Sequence, residues 1–365
     1  MFVKSINFEN FRNLKNNTVF PCENVNVIYG ENAQGKTNLL ESIWLFCGGH
    51  SFRSSKENEM IGFDKDFFRL KMKFFSEERD QTAEILYTQN KKKIKINGVD
   101  KNSSAYLTEK FSCVVFSPEH LTLIKRGPQV RRKFIDSAVC QQKVQFAFIL
   151  SKYQQILNQR NALLKDIHRH SELLDVLSIW EENLASYGAK ILTERLNYLK
   201  KVREIARSYH NGISRQKEIL DFEYLSTCDV EEDDTEEIIR EKIYHSLLSK
   251  REEDMRFGNT ASGPHRDDID IKINALSARK YASQGQQRSA VLSLKLSEAQ
   301  LLYERRGERP VILLDDVLSE LDNKRQDFLL NQIKDYQVFV TCCEENDKEQ
   351  LKSGKVFYVE NGEIK

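Results

Sequence analysis

One eight-residue segment, GENAQGKT at residues 30–37, constrains the fold of this chain more than any other feature. It fits the pattern G-x-x-x-x-G-K-[ST] without a mismatch. Its glycines let the backbone wrap closely, so that amide N–H groups can converge on phosphates. The apolar run VNVIY precedes the segment, and NLLESIWLF follows it with helical periodicity. The order strand, loop, helix predicts a phosphate-binding loop in an α/β domain.

Each position of this loop is a predicted nucleotide contact: Gly30, Glu31, Asn32, Ala33, Gln34, Gly35, Lys36 and Thr37. The Lys36 side chain can reach the β- and γ-phosphates of ATP and take part in catalysis, and the Thr37 hydroxyl can bind Mg²⁺. A chance match in a glycine turn is the alternative, but it is expected in only roughly 1% of chains of this length. We therefore expect ATP and Mg²⁺ as cofactors.

A second carboxylate for the metal is predicted in the segment VILLDD. Residues 311–314 form an apolar strand, and Asp315 comes at its carboxyl end, where ligands bind in open α/β sheets. We expect Asp315 to hold Mg²⁺ and Asp316 to orient or deprotonate the attacking water. A plain buried strand that ends in an acidic turn is the alternative, which the phosphate loop disfavours.

The middle third of the chain is predicted to be helical, because helix breakers are nearly absent from it. No proline lies between Pro128 and Pro264, and apolar residues recur there at three- and four-residue intervals. Both flanks mix strand and helix patterns, and Asn97-Gly98 between alternating residues predicts a hairpin. We expect a discontinuous α/β lobe formed by residues 1–125 and 256–365, with a helical lobe at 126–255.

Composition excludes several classes of protein. The chain has 365 residues, with 56 basic and 55 acidic side chains, so nucleic acid could bind only at local patches. The longest aliphatic runs have about four residues, too short to span a bilayer. The seven cysteines include no Cys-x-x-Cys pair, and the first residues lack a signal-peptide pattern, so a cytoplasmic location is expected.

Three further segments are typical of ABC-type ATPases of one branch. SQGQQ at 283–287 resembles their signature motif, SELD at 319–322 resembles their D-loop, and GPHRDD at 263–268 resembles a segment of one family. Together with INFENFRNL and FSPEHLTLIKRGPQVRRKFID, they make the chain resemble, from end to end, the bacterial recombination mediators of the SMC-like branch. The implied fold is an ABC-type P-loop ATPase head with an inserted, mainly helical lobe.

The resemblance implies how ATP would be enclosed. Ser283, Gly285 and Gln286 would contact the ATP that a second copy of the chain holds, and Asp322 would cross the same interface. Two ATP molecules would then be sandwiched in a homodimer. Taken alone, SQGQQ is equally well interpreted as a polar helix cap.

The resemblance also implies a function. It predicts binding to duplex DNA and to single-strand/double-strand junctions, and loading of the recombinase RecA together with RecR and RecO, in DNA replication, repair and the SOS response.

Two differences from the usual motifs of ABC-type ATPases predict a weak ATPase. Asp316 stands where a glutamate is common, and Thr341, Cys342 and Cys343 occupy the region of the expected switch histidine. Slow hydrolysis would act as a timer on a DNA clamp.

DNA contacts are predicted only from two basic clusters, and a solvated protein face is the equally weighted alternative. The predicted contact residues are Lys91, Lys92, Lys93, Arg126, Arg131 and Arg132.

Three rival functions are weaker. A transporter ATPase subunit usually carries a switch histidine, and the separation between its loop lysine and its signature motif is usually shorter than that between Lys36 and Ser283 here. A fused nuclease needs more chain after Asp322, and a nucleotide kinase has no use for the signature.

Overall fold

The computed structural model describes residues 1–48, 51–52, 56–88, 91–167, 170, 172, 174–343 and 354–365. The chain divides into two compact units. The first consists of residues 1–122, 208–216 and 288–365, and the second of residues 123–207 and 217–287.

The first unit contains two six-stranded sheets. The antiparallel sheet has the order β2-β1-β4-β5-β6-β7, and the other has the order β15-β14-β3-β13-β12-β8, parallel except for β15. The strands of the antiparallel sheet are β1 (Phe2–Glu9), β2 (Asn17–Val19), β4 (Phe67–Ser76), β5 (Arg79–Thr88), β6 (Lys91–Ile96) and β7 (Val99–Lys101). Those of the parallel sheet are β3 (Val25–Tyr29), β8 (Cys113–Phe116), β12 (Val311–Leu314), β13 (Val338–Cys342), β14 (Lys355–Glu360) and β15 (Glu363–Ile364).

One hydrophobic core joins the two sheets of this unit to the helix that follows the phosphate loop. Phe8 and Phe74 come from the antiparallel sheet, Ile28 and Leu313 from the parallel sheet, and Leu40 from the helix, and all five are fully buried. Strands β8, β12 and β13 of the parallel sheet are buried along their whole length, because both of their faces are covered. The helices wholly within this unit are α1 (Lys36–Trp44), α2 (Pro118–Leu121) and α10 (Asn323–Gln332).

The second unit is mainly helical and carries a small sheet. Its helices are α3 (Pro128–Gln142), α4 (Val144–Asp166), most of α5 (Leu174–Ser214), α6 (Glu236–Ser249), α7 (Arg251–Phe257), α8 (Ala278–Tyr281) and the first turn of α9 (Gln284–Arg306). An antiparallel sheet of order β11-β10-β9 comprises β9 (Leu220–Leu225), β10 (Asp268–Ile273) and β11 (Leu276–Ser277).

Several local predictions are confirmed and others are not. Asn97 and Gly98 both have positive φ, of 49° and 79°, and join β6 to β7 as a tight hairpin. The long helices of the middle third are present. The three-stranded sheet was not predicted, because the pairing of β9 with β10 joins segments more than 40 residues apart. Residues 256–287 also group with the helical unit, whereas the sequence placed them in the ATPase lobe.

Among the helices that the structure describes, none combines the length and the apolar character needed to cross a bilayer.

Candidate nucleotide-binding site

Three neighbouring strands bring the predicted nucleotide residues together. In the parallel sheet, β13 lies between β3 and β12. The carboxyl ends of parallel strands meet at one edge, so Gly30 after β3, Asp315 after β12 and Cys343 after β13 lie at the same edge. This is the predicted position for a ligand.

Two glycines of the loop are required by close approaches of backbone and side chains. A Cβ atom on Gly30 would lie only 2.3 Å from the carbonyl oxygen of Val359 on β14. Gly35 has φ +118°, a left-handed conformation at the N-cap of α1, where other residues are strained. Gln34 is held by the turn between β14 and β15, since its carbonyl oxygen accepts a 3.1 Å hydrogen bond from the Gly362 amide.

The Lys36 ammonium lies under the loop and is almost fully buried. It donates hydrogen bonds to the carbonyl oxygens of Gly30, at 2.6 Å, and Glu31, at 3.0 Å. It also lies 3.0 Å from Cys343 Sγ. The ammonium group therefore lies at the place that the loop encloses. There, phosphate oxygens of a bound nucleotide can replace the two carbonyl oxygens as its hydrogen-bond acceptors.

Thr37 and Asp315 are in direct contact. The Thr37 hydroxyl donates a 2.8 Å hydrogen bond to Asp315 Oδ1, although the residues are 278 positions apart in the chain. Asp315 is itself held by its amide, which donates to the Phe116 carbonyl oxygen of β8. A hydroxyl and a carboxylate are hard oxygen donors, and Mg²⁺ is typically bound by one or two carboxylates together with substrate phosphates. The pair fits a magnesium ion.

Asp316 is placed beside this pair by an unusual backbone conformation, with φ +49°. Its amide donates a 2.8 Å hydrogen bond to Thr341 Oγ1. The same hydroxyl oxygen lies 3.2 Å from Asp316 Oδ1 and 3.3 Å from Asp315 Oδ1. Thr341 thus fixes both aspartates at the strand edge, and sequence reasoning had assigned it no role.

Cys343 was also missed as a neighbour of the loop lysine. Cys343 is exposed, while Cys342 before it is buried. The Cys343 thiol donates to Asn32 Oδ1 at 3.1 Å. Strand β13, which ends just before Cys343, is adjacent to the phosphate-loop strand β3, and this strand order cannot be read from the strand patterns of the sequence.

Comparison with known proteins gives the family. The model for the RecF/RecN/SMC N-terminal domain matches residues 2–365. The DNA replication and repair protein RecF of Acetivibrio thermocellus is 38% identical over 360 residues, which cover 98% of each chain. A solved structure of the recombination mediator protein RecF with ATP, from the RecFOR pathway, is 40% identical and covers 100% of this chain and 97% of its own, with a TM-score of 0.93.

The chain belongs to the RecF family. Its fold is that of an ABC-type P-loop ATPase head with an inserted helical lobe, as the sequence predicted. A solved head domain of Smc from Pyrococcus furiosus has the same fold at only 13% identity, with a TM-score of 0.55, covering 100% of this chain and 95% of its own.

In this RecF-family chain the signature segment forms a helix cap. Ser283 Oγ accepts a 3.2 Å hydrogen bond from the Gln286 amide, and Gln286 Oε1 accepts a 2.8 Å hydrogen bond from the Ser283 amide. This reciprocal pair is a capping box at the start of α9. The cap fixes the first turn around Gly285, where a helix N-terminus favours anions.

The D-loop aspartate also caps a helix. Asp322 Oδ1 accepts a 2.9 Å hydrogen bond from the Arg325 amide at the start of α10. The Asp322 side chain remains about half exposed, so the cap does not remove it from solvent.

The first basic cluster of the RecF-family chain divides between two faces of β6. Lys91 and Lys93 are exposed on one face. The prediction that Lys92 contacts DNA alongside them is corrected, because Lys92 alternates to the face of Ile94 and forms an ion pair with Glu57.

The second basic cluster is largely internal to the helical unit. The prediction that Arg131 contacts DNA is wrong, because its side chain is only 4% exposed. Its guanidinium binds both carboxylate oxygens of Asp268, at 2.7 and 2.8 Å. Its Nη1 also donates to three carbonyl oxygens. Arg132 is partly buried and donates to the Asp267 carbonyl oxygen, and burial lowers the pKa of its guanidinium. Arg126 is exposed.

The segment GPHRDD anchors a buried polar network within the helical unit. Asp267 accepts hydrogen bonds from the Tyr224 hydroxyl, at 2.9 Å, and the Thr227 amide, at 2.8 Å. Arg195, which is 3% exposed, donates to the Pro264 carbonyl oxygen and pairs with Asp136. In these contacts the segment stabilises the fold of its own unit.

Proposed function

We propose that this chain is an ATP-dependent DNA-binding protein of recombinational repair whose ATP hydrolysis is slow. The contact of Thr37 with Asp315 beside the buried Lys36 carries the proposal. Those three groups are the ones that a nucleotide with a divalent cation requires. The RecF relatives and the RecF structure with ATP support the same assignment.

In this proposal each residue of the site has its own role. The loop at 30–37 binds the phosphates, Lys36 neutralises their charge, and Thr37 with Asp315 holds Mg²⁺. The bound cation would draw electron density from the phosphate and so assist displacement at phosphorus. Asp316 orients the attacking water and accepts its proton.

The slow turnover follows from the groups at the end of β13. Cys343 lies 3.9 Å from Asp316 Oδ1, near the place where related ATPases are expected to carry a histidine. A thiol cannot supply the paired ring nitrogens of a histidine. We expect turnover below about ten per second, the ordinary enzyme median.

ATP would bring two copies of the chain together. In this arrangement Ser283, Gly285 and Gln286 of one copy close over the nucleotide of the other, and Asp322 crosses the interface. The capped first turns of α9 and α10 support it, because both helix ends are ordered before any second copy arrives.

Duplex DNA or a single-strand/double-strand junction would bind to the exposed face of the antiparallel sheet. Lys71 and Lys73 of β4 are exposed there, as are Lys91, Lys93 and Lys95 of β6. Phosphate contacts of this kind give salt-dependent affinity that is largely independent of sequence. Together with the partners RecR and RecO, such a complex would promote RecA loading in the cytoplasm.

Sedimentation velocity tests the ATP-dependent association. We expect the chain to sediment as a monomer without nucleotide and as a dimer with Mg-ATP. Lys36→Met should stay monomeric in both conditions, because it removes the charge that faces the phosphates. A wild-type chain that remains monomeric at saturating Mg-ATP would contradict the proposed dimer.

A further inference from the structure

The D-loop and the signature helix are joined by an arginine that lies outside the phosphate loop. Arg325 lies in the first turn of α10, and its Nε donates a 2.8 Å hydrogen bond to Ser289 Oγ on α9. Its Nη1 forms an ion pair with Asp322. One planar guanidinium therefore bridges the D-loop carboxylate to the helix that opens with the signature segment.

The bridge is partly sheltered from water. Ser289 is 2% exposed, and the Arg325 side chain is 24% exposed. A charge-assisted hydrogen bond in such surroundings is stronger than one in bulk water. The guanidinium fork also fixes its two partners in a defined geometry, which the single ammonium of lysine does not reproduce.

A second contact ties the same two segments. Arg288 on α9 forms an ion pair with Glu320, which ends the short 3₁₀ helix Leu318–Glu320 just before Asp322. Gln326 Nε2 on α10 donates to the carbonyl oxygens of Leu318, at 2.6 Å, and Leu321, at 3.2 Å. The D-loop is thus braced against α10 as well as against α9.

We propose that Arg325 is a positioning residue that couples the D-loop to the signature helix, so that ATP-dependent association of two chains depends on the bridge. The inference rests on the proposed function, since it assumes that both segments reach the second copy. Arg325 touches neither nucleotide nor metal in this role. It holds Asp322 and α9 in the mutual arrangement that the second copy must meet.

Two conservative changes break the bridge from opposite ends. Arg325→Lys keeps the positive charge near Asp322 but removes Nε, and Ser289→Ala removes the acceptor while leaving the Asp322 pair intact. Arg309→Lys is the matched control, because Arg309 pairs with Asp335 at 3.2 Å in the same unit and lies over the ring of Tyr303, about 20 Å along α9 from Ser289. Each variant is compared with the double variant Arg325→Lys/Ser289→Ala.

Three readouts separate positioning from general stability. Equilibrium binding of a fluorescent ATP analogue should stay within about twofold of wild type, and thermal midpoints should fall by only a few degrees, as for loss of about one hydrogen bond. The dimer dissociation constant at saturating Mg-ATP should rise about fivefold in each single variant and no further in the double variant, because contacting residues are non-additive. Arg309→Lys should dimerise like wild type.

The outcomes distinguish the inference from the proposed function. If wild type dimerises with ATP and both single variants match it, the coupling role is overturned while the proposed function stands. Effects that multiply in the double variant, or an equal loss of nucleotide binding and of thermal stability, also overturn it. A wild-type chain that never dimerises with ATP overturns both.

Discussion

Thr37 Oγ1 lies 2.8 Å from Asp315 Oδ1 and joins the start of α1 to the carboxyl end of β12. The contact pre-orders two oxygen ligands on neighbouring parts of one sheet edge. With these two oxygens as protein ligands, the remaining ligands of Mg²⁺ would be phosphate oxygens and water. Nucleotide and metal are therefore expected to bind together.

Asp315→Asn should separate metal-dependent chemistry from nucleotide binding. The amide keeps an oxygen for Thr37 but loses the charge that holds Mg²⁺. We expect ATP turnover to fall by about 10²-fold, as for loss of one electrostatic group in a catalytic site. Binding of ATP in the presence of EDTA should be nearly unchanged. Turnover equal to wild type at low Mg²⁺ would remove Asp315 from the metal site.

Asp316→Asn should uncouple hydrolysis from ATP-dependent binding. Loss of the general base is expected to lower turnover by about 10²- to 10⁴-fold. The asparagine side chain has the same shape as aspartate, so the hydrogen bond from the backbone N–H of residue 316 to Thr341 should remain. ATP-dependent DNA complexes should then persist longer than those of wild type, measured by chasing with unlabelled DNA. Complexes that decay at the wild-type rate would show that hydrolysis is not the timer.

Charge reversal on the sheet face tests the DNA surface. The double change Lys91→Glu/Lys93→Glu should weaken duplex binding and reduce the salt slope of log Kd by about two, if each lysine meets one phosphate. Lys200→Glu/Lys201→Glu on α5 makes the same change of charge at two exposed positions. Equal effects of the two double variants would mean that net charge, and not this face, governs binding.

Arg131→Glu should act on folding. It would leave Asp268 facing a like charge and would remove the donor to three carbonyl oxygens, at a cost of about 3–5 kcal/mol in the free energy of unfolding. Arg126→Glu at an exposed position should change stability by less than about 0.5 kcal/mol. Urea unfolding of the two variants compares them directly. A stable, folded Arg131→Glu protein would contradict the buried pairing.

His265 predicts a dependence of stability on pH. Burial, with the nearby charges of Arg266, Arg132 and Arg195, lowers the pKa of its imidazole from 6.5 to about 4. Between these values the unfolded chain binds more protons at this position than the folded chain does, so stability falls as pH drops from 6.5 towards 4. Its contribution should reach about 3 kcal/mol. In His265→Asn this part of the pH dependence should vanish, while the exposed-site control His245→Asn should retain it.

The sequence predicted the nucleotide site because its signals are local. The phosphate loop, the strand before Asp315 and the turn at Asn97-Gly98 each depend on a few consecutive residues whose conformation follows from glycine and apolar patterning. The orientation of Lys92 could also have been predicted from the sequence. The period-2 alternation of β6 places it on the face of Ile94, opposite Lys91 and Lys93.

Features that depend on long-range pairing were not predictable. The carboxylate that makes Arg131 a buried residue belongs to Asp268, 137 positions later. The boundary between the two units falls inside α9, where helical periodicity continues and gives no signal. The contact of Cys343 with Lys36 requires the order of β3, β13 and β12, which strand patterns alone do not specify.

Fluorescence anisotropy of a labelled duplex with a single-stranded tail tests the central claim most directly. The chain is titrated with and without Mg-ATP, beside Lys36→Met under the same salt conditions. The account predicts that ATP tightens binding by wild type and leaves the Lys36→Met protein at the affinity seen without nucleotide. Equal affinity of wild type with and without Mg-ATP, or no binding at moderate salt, would contradict ATP-gated DNA binding.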